Sequence, residues 1–320
     1  MRLSSFIQLI RNENMKIYRR FATWTMIGLL ILGILGIGII QKFAMDAPDN
    51  SNWKQNLTEQ NESYKQMFSD APPGIPDAQK RYFEQQMKVN EYRIEHNQPP
   101  VDSNSLWGFM DTTSNLSSLV TLFTIIIAAG SVASEFTWGT IKLLLIRPVG
   151  RSKILLSKYI ASFLFALLLL ITLFVISFLA GGIFFGFSQV STPYLAFING
   201  SVVESSMPLH MIGVYGLNSV NLIMMVTFAF MISTVFRSNS LAIGLAIFLM
   251  FTGVQVVQIF SEYSWAKYIL FANTDLTQYI KGTPMVEGMT MTFSIITLLV
   301  YFVVFNALSW YIFNKRDVAA

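Results

Sequence analysis

Residues 133–160 read ASEFTWGTIKLLLIRPVGRSKILLSKYI. The stretch carries five Lys or Arg against one Glu and lies between two long apolar runs. It therefore reads as the polar connection between two membrane spans, with a short amphipathic segment inside it. Glu135 to Leu145 predicts a short helix whose apolar contribution is Phe136, Ile141, Leu144 and Leu145. Gly139 and Thr140 leave room for close backbone approach, and Pro148-Val149-Gly150 ends the helix in a turn. Arg147, Arg151 and Lys153 follow, and Ser152 or Ser157 starts the next span. A helix held between two spans can transmit a push from a docked partner into them. It can equally lie on the headgroups as an anionic-lipid contact, and the residues by themselves leave both readings open.

Composition sets the class around this stretch. Apolar residues make up 53% of 320, aromatic residues 14% and charged residues only 12%, with a positive mean hydropathy. That is a polytopic membrane protein and not a soluble domain. The chain has no cysteine, which excludes disulfides, thiol catalysis and cysteine-ligated metals. Two histidines, His96 and His210, are too few for a histidine metal cage.

Working outward, residues 1–20 place Leu3, Ile7, Ile10, Ile17 and Phe21 at helical spacing against five cations, the pattern of an interfacial helix. Residues 21–41 form the first span, since about 20 apolar residues cross about 30 Å of hydrocarbon; a signal peptide has a shorter apolar core, so the span reads as uncleaved. Residues 42–114 are a polar helical insertion. Trp53, Leu57, Tyr64 and Phe68 share one face, Phe83, Met87 and Ile94 another, and the SDAPPGIPD between them breaks any helix, which predicts a helical hairpin. About 70 residues make a marginal core, so this unit should lean on the membrane domain or on a second copy.

Residues 115–313 hold the other five spans, at 115–132, 159–187, 211–236, 241–260 and 289–313, followed by a tail at 314–320. The third is longer than a crossing needs, which predicts tilt or a kink near Gly181 and Gly182. Residues 188–209 read as a polar loop. RSNS at 237–240 is short enough to make its flanking spans an antiparallel pair. Residues 261–289 are too polar to cross and too aromatic for a plain loop, which suggests short interfacial or re-entrant helices. The fold class is thus an all-α polytopic membrane protein with six transmembrane helices.

Charge orients it. With the N terminus inside, the cytoplasmic side holds thirteen basic residues against Glu13, Glu135 and Asp317, and the outside holds nine against fifteen acidic. The positive-inside rule then places both termini and residues 134–158 in the cytoplasm and the insertion outside.

The spans so drawn contain no Asp, Glu, Lys or Arg, and His210, beside Pro208 at an outer end, reads as an interfacial histidine. Ion-coupled carriers keep an ionisable group or a broken helix near the midplane, so that class is disfavoured. No Gly-Lys dipeptide occurs, hence no phosphate-binding P-loop, and neither HExxH nor GxSxG is present. No enzyme is expected.

The run EFTWGTIKLLLIRPVGRSKILLSK at 135–158 resembles the cytoplasmic loop of type-2 ABC permeases, and NENMKIYRRFATW at 12–24 is similar to that family's entry into its first span. The resemblance implies one membrane half of an ATP-driven exporter, with a second permease chain beside it and two separate ATPase subunits that bind ATP and Mg; this chain would bind no cofactor and no nucleic acid. It implies a coupling element at Glu135, Trp138, Gly139, Thr140, Leu144, Arg147, Pro148 and Arg151, and a connecting helix carrying Arg11, Glu13, Lys16, Arg19 and Arg20. Trp265, Tyr268 and Phe271 become outer-gate candidates. The implied setting is the plasma membrane of a Gram-positive bacterium, and uncharged spans favour an amphipathic or apolar cargo such as an antimicrobial peptide, a drug or a lipid-like compound. A reading from another class is a membrane-anchored sensor whose outer hairpin binds a ligand.

Overall fold

The computed structural model describes residues 3–44, 50–69, 77–145, 149–198 and 200–315. Helix α1 (Leu3–Tyr18) precedes α2 (Phe21–Phe43); α3 (Trp53–Ser69) and α4 (Asp77–Glu95) form the insertion; α5 (Leu106–Ser114) leads almost directly into α6 (Ser117–Thr137). After the five-residue α7 (Ile141–Leu145) come α8 (Arg151–Phe185), strands β1 (Tyr194–Ile198) and β2 (Ser201–Ser205), and the pair α9 (Met207–Val235) and α10 (Asn239–Ile259). Two short helices, α11 (Leu270–Asn273) and α12 (Gln278–Lys281), precede α13 (Met291–Lys315). Six segments are long and apolar enough to cross a membrane: α2, the 106–137 segment, α8, α9, α10 and α13. The chain is a predominantly helical, multi-pass membrane protein.

Helices α6 and α9 form the centre, packed on each other and on α8, α10 and α13. Several buried hydroxyls in this core are satisfied within their own helix or by a neighbouring one. Thr124 Oγ1 donates to Val120 O at 2.7 Å, Ser162 Oγ to Lys158 O at 3.1 Å, and Tyr159 Oη and Thr227 Oγ1 share a bond of 2.7 Å between α8 and α9. A helix in hydrocarbon must satisfy its polar groups internally, and these bonds do so.

Several sequence expectations are corrected. Helical structure leading into the second span begins at Leu106, ahead of residue 115, because Ser105 caps α5 by accepting from Gly108 N at 3.1 Å and Leu106, Phe109 and Met110 are buried. Helix α8 runs unbroken through Gly181 and Gly182. A Cβ at Gly181 would stand 2.8 Å from Leu106 and 3.0 Å from Phe109, so this glycine lets α5 approach α8 without interrupting the helix. The 188–209 loop contains a β-hairpin, with Tyr194 opposite Ser205 and Ile198 opposite Ser201. The predicted helix from Glu135 to Leu145 is two pieces. Helix α6 runs on to Thr137, Gly139 takes a left-handed φ of 70° just after the Trp138 cap, and α7 restarts at Ile141. A left-handed glycine in that position is how many helices stop.

The insertion is a helical hairpin as predicted. Tyr64 stacks on Phe83 at 4.8 Å, and Asn90 donates to Asn61 Oδ1 at 2.9 Å. It leans on the rest of the chain through the β-hairpin: Glu204 on β2 accepts from Tyr92 Oη at 3.2 Å and from Gln98 at 2.6 Å.

Gly108 yields a sharp packing prediction. A Cβ there would collide with the backbone carbonyl oxygens of Asp102 and Ser103, which cannot rotate away. Gly108→Ala should cost about 2 kcal/mol or more, whereas Gly28→Ala, with nothing within 4 Å of its Cβ, should be neutral or gain up to ~1 kcal/mol of helix propensity. Thermal midpoints of the two variants in detergent check this; a Gly108→Ala midpoint equal to that of Gly28→Ala would overturn it.

Candidate functional site

The ends of the helices gather at two poles. One pole brings together the junction of α1 and α2, the end of α6, the start of α8, the turn between α9 and α10, and the end of α13. Thr137 Oγ1 accepts from Asn239 N at 3.0 Å and donates to Arg237 O at 3.3 Å, and Arg151 Nη1 donates to Asn314 O at 3.0 Å. This is the basic pole, and the 133–160 stretch runs across it.

At its centre is a buried ion network. Lys158, on the second turn of α8, has a side chain only 2% exposed. Its Nζ lies 2.7 Å from Glu135 Oε1 and 2.8 Å from Glu13 Oε2. Lys16 on α1 closes the ring, at 3.0 Å from Glu135 and 2.8 Å from Glu13. Two carboxylates and two ammoniums balance, which is what a buried cluster requires. Burial works against the Lys16 ammonium, but Glu13 and Glu135 outweigh it and hold its pKa above the ordinary lysine value. The second oxygen of Glu135 accepts from Thr140 Oγ1, so the same carboxylate also fixes the turn before α7.

The α7 segment has its own anchor. Ile141 is buried in a satellite cluster with Val132, Leu155, Phe230 and Phe313, one residue each from α6, α8, α9 and α13. Burying an isoleucine contributes about 1.5–3 kcal/mol. The next two residues, Lys142 and Leu143, face outward, with Leu143 67% exposed. A five-residue helix thus presents an exposed surface while one side chain sits where four spanning helices meet.

The residues singled out from sequence divide accordingly. Glu135 lies in the last turn of α6 and is buried. Trp138 is exposed, with the Arg20 guanidinium 5.3 Å from its ring. Gly139 and Thr140 form the turn, Leu144 belongs to α7, and Arg151 ties α8 to α13. Arg147 and Pro148 lie outside the described residues. On α1, Glu13 and Lys16 enter the network and Arg11 is exposed, as is Arg19 in the turn just after α1. The spans as drawn hold no charged residue, but α6 and α8 extend past them and bury Glu135 and Lys158 at the basic pole. Lys158 was missed, since the third span was drawn from Tyr159.

At the other pole Trp265 packs on Phe260 at 5.2 Å and Tyr268 on Phe293 at 5.5 Å, both largely exposed, whereas Phe271 turns inward against Phe228 at 6.0 Å and Gly253. The three outer-gate candidates therefore do not converge on one point. His210 is stacked on Tyr194, with ring centroids 3.5 Å apart. No group of three or more His, Asp or Glu side chains able to hold a metal occurs among the described residues.

A family model described as "Protein of unknown function (DUF2705)" matches residues 78–319, from α4 to the end of the last span. The chain belongs to the DUF2705 family. Two relatives come from Bacillus subtilis (strain 168). One, "Uncharacterized protein YhcI", is 46% identical over 98% of this chain and 99% of its own length. The other, "Uncharacterized membrane protein YdbK", is 34% identical over 66% of this chain and 82% of its own length. These matches overturn the resemblance to type-2 ABC permeases: the matching family is DUF2705, no ABC permease family is matched, and neither relative's name refers to transport. The EFTWGT–RP pattern is short and built of residue types that any interfacial turn between two spans favours, so it carried less information than its length suggested. Within DUF2705, the matched region includes Glu135 and Lys158 and leaves out α1, which supplies Glu13 and Lys16.

Proposed function

We propose that this chain is a multi-pass subunit that moves an amphipathic or apolar compound across a bacterial membrane, using work delivered to its basic pole by a separate soluble ATPase. The carrying observation is the joint at that pole. The exposed α7 is continuous with Thr140, which bonds Glu135, and Glu135 reaches Lys158 on α8 and Lys16 on α1. A displacement of α7 is thereby passed to three helices at once, and through Ile141 to the cluster where α6, α8, α9 and α13 meet. The uncharged middles of the helices favour the cargo class. Hydrolysis belongs to the partner, since this chain has no P-loop. The basic excess at this pole supports a cytoplasmic placement, with both termini inside and the α3–α4 hairpin outside.

Two measurements test this. The chain has no cysteine, so single cysteines replacing Lys88 on α4 and Lys142 on α7 report sidedness without background. An impermeant maleimide on intact cells should label the first and not the second; the reverse pattern would invert the orientation. Affinity capture of the tagged chain should recover a P-loop ATPase, and Leu143→Asp should weaken that capture roughly tenfold, as removal of an exposed apolar anchor does. Capture of no ATPase by the unaltered chain would sink the proposal.

A further inference from the structure

A cavity of about 450 Å³ opens between α1, α6 and α8 beside the ion network. Its lining changes character with depth. Along α6 and its cap it runs from Trp138 and Glu135 through Ser134 and Ser131 to Ile127, a rise of about 16 Å along the helix. The mouth is charged and aromatic, and the floor is Ile127 and Ala161. A cavity that is polar at the helix ends and apolar toward the middle of the bundle matches an amphiphile aligned with the bilayer.

Charge narrows the class. The lining holds two carboxylates, Glu13 and Glu135, and three cations, Lys16, Lys158 and Arg20. Both lysines are matched to both carboxylates. Arg20 takes part in none of the ion pairs among the described residues, and its guanidinium rests on the Trp138 ring at the mouth. A planar guanidinium held over an indole keeps its forked donors free for a phosphate. Arg20 sits at the junction of the amphipathic α1 and the apolar α2, the kind of position where a basic side chain meets lipid headgroups.

We propose that this cavity binds an anionic phospholipid carrying one net negative charge, with its phosphodiester on Arg20 beside Trp138 and the start of an acyl chain against Ile127 and Ala161. The bound lipid neutralises the surplus cation and fills the space between α1 and the bundle. This does not depend on whether the chain transports anything or has an ATPase partner.

The purified chain in neutral detergent is titrated with dioctanoyl phosphatidylglycerol, dioctanoyl phosphatidylcholine and inorganic phosphate, reading the thermal midpoint and, by native mass spectrometry, the retained lipid. Phosphatidylglycerol should raise the midpoint saturably with one lipid retained, and the other two should not. Arg20→Gln should raise the half-saturating concentration roughly tenfold, the loss expected for one charge-assisted bond, and Arg20→Lys, which keeps the charge but loses the stacked fork, should restore only part of it. Trp138→Ala, at an exposed position, should weaken binding several-fold without disturbing the fold. Lys315→Gln, a cation of the same pole outside the cavity, should change nothing. Equal protection by phosphatidylcholine, an unaltered response in both Arg20→Gln and Trp138→Ala, or the full effect from inorganic phosphate alone would each overturn the assignment.

Discussion

Replacing Lys158 with methionine is expected to destabilise the folded chain by about 3–5 kcal/mol, the range for breaking a buried ion pair by removing one partner. The substitution leaves Glu13 and Glu135 facing each other across a site 2% exposed at Lys158, with only the half-exposed Lys16 between them. Methionine fills the space of the lysine stem, so the loss reports the charge and not a cavity. The double variant Lys158→Met with Glu135→Gln should recover part of it, because it leaves Glu13 and Lys16 as a matched pair and lets the amide keep the bond from Thr140. A positive coupling of about 0.5–3 kcal/mol between the two substitutions is the signature of residues in one network. Size-exclusion of heated detergent samples, ranking single and double variants, decides it. Additive losses would mean that the two side chains are neighbours without being partners.

The same residues show what a sequence can disclose. Leu155, Lys158, Ser162, Phe165 and Leu169 recur at helical spacing and are all buried. The lysine therefore sat on a core stripe that was readable once the helix was extended backward to Arg151. It was passed over because spans were delimited by excluding charge, a rule that trims off a buried cation at a helix end. The spans themselves were legible, since hydropathy over 20 residues needs no partner to be read. The ring of four charges was not, because Lys16 meets Glu135 across 119 residues, and no local periodicity encodes which helices pack together. Glu135 illustrates the consequence: placed by sequence on a surface helix, it belongs to the last buried turn of α6, because Gly139 and not Pro148 is where the helix stops. The β-hairpin was hidden for a different reason. Five-residue strands with mixed burial give too few alternations to separate from a loop.

If the proposed ATPase-driven function holds, the double variant Glu13→Gln with Lys16→Met should cut work transfer while leaving the fold and the proposed partner's attachment in place. It removes both ionic ties between α1 and the bundle, leaving the apolar seating of Ile17 and Tyr18 in place, and keeps Glu135 and Lys158 as a matched pair at 2.7 Å, so no buried charge is orphaned. Lys16 is 44% exposed, and losing its ion pairs costs little because solvent screens them. If α1 moves with α6 and α8 as one joint, its release should first appear as faster amide exchange across Leu3–Tyr18, a readout that needs no partner. With the ATPase present, the test is a reporter cysteine replacing Trp265 at the opposite pole, where the side chain is exposed. Its labelling rate should change roughly tenfold on ATP addition in the otherwise unaltered chain, the response that a coupling of about 1.4 kcal/mol produces. In the double variant that response should collapse while ATP hydrolysis continues. An undiminished response with α1 demonstrably released would assign α1 to membrane anchorage alone and confine the joint to Thr140, Glu135 and Lys158, the members that lie within the DUF2705 match.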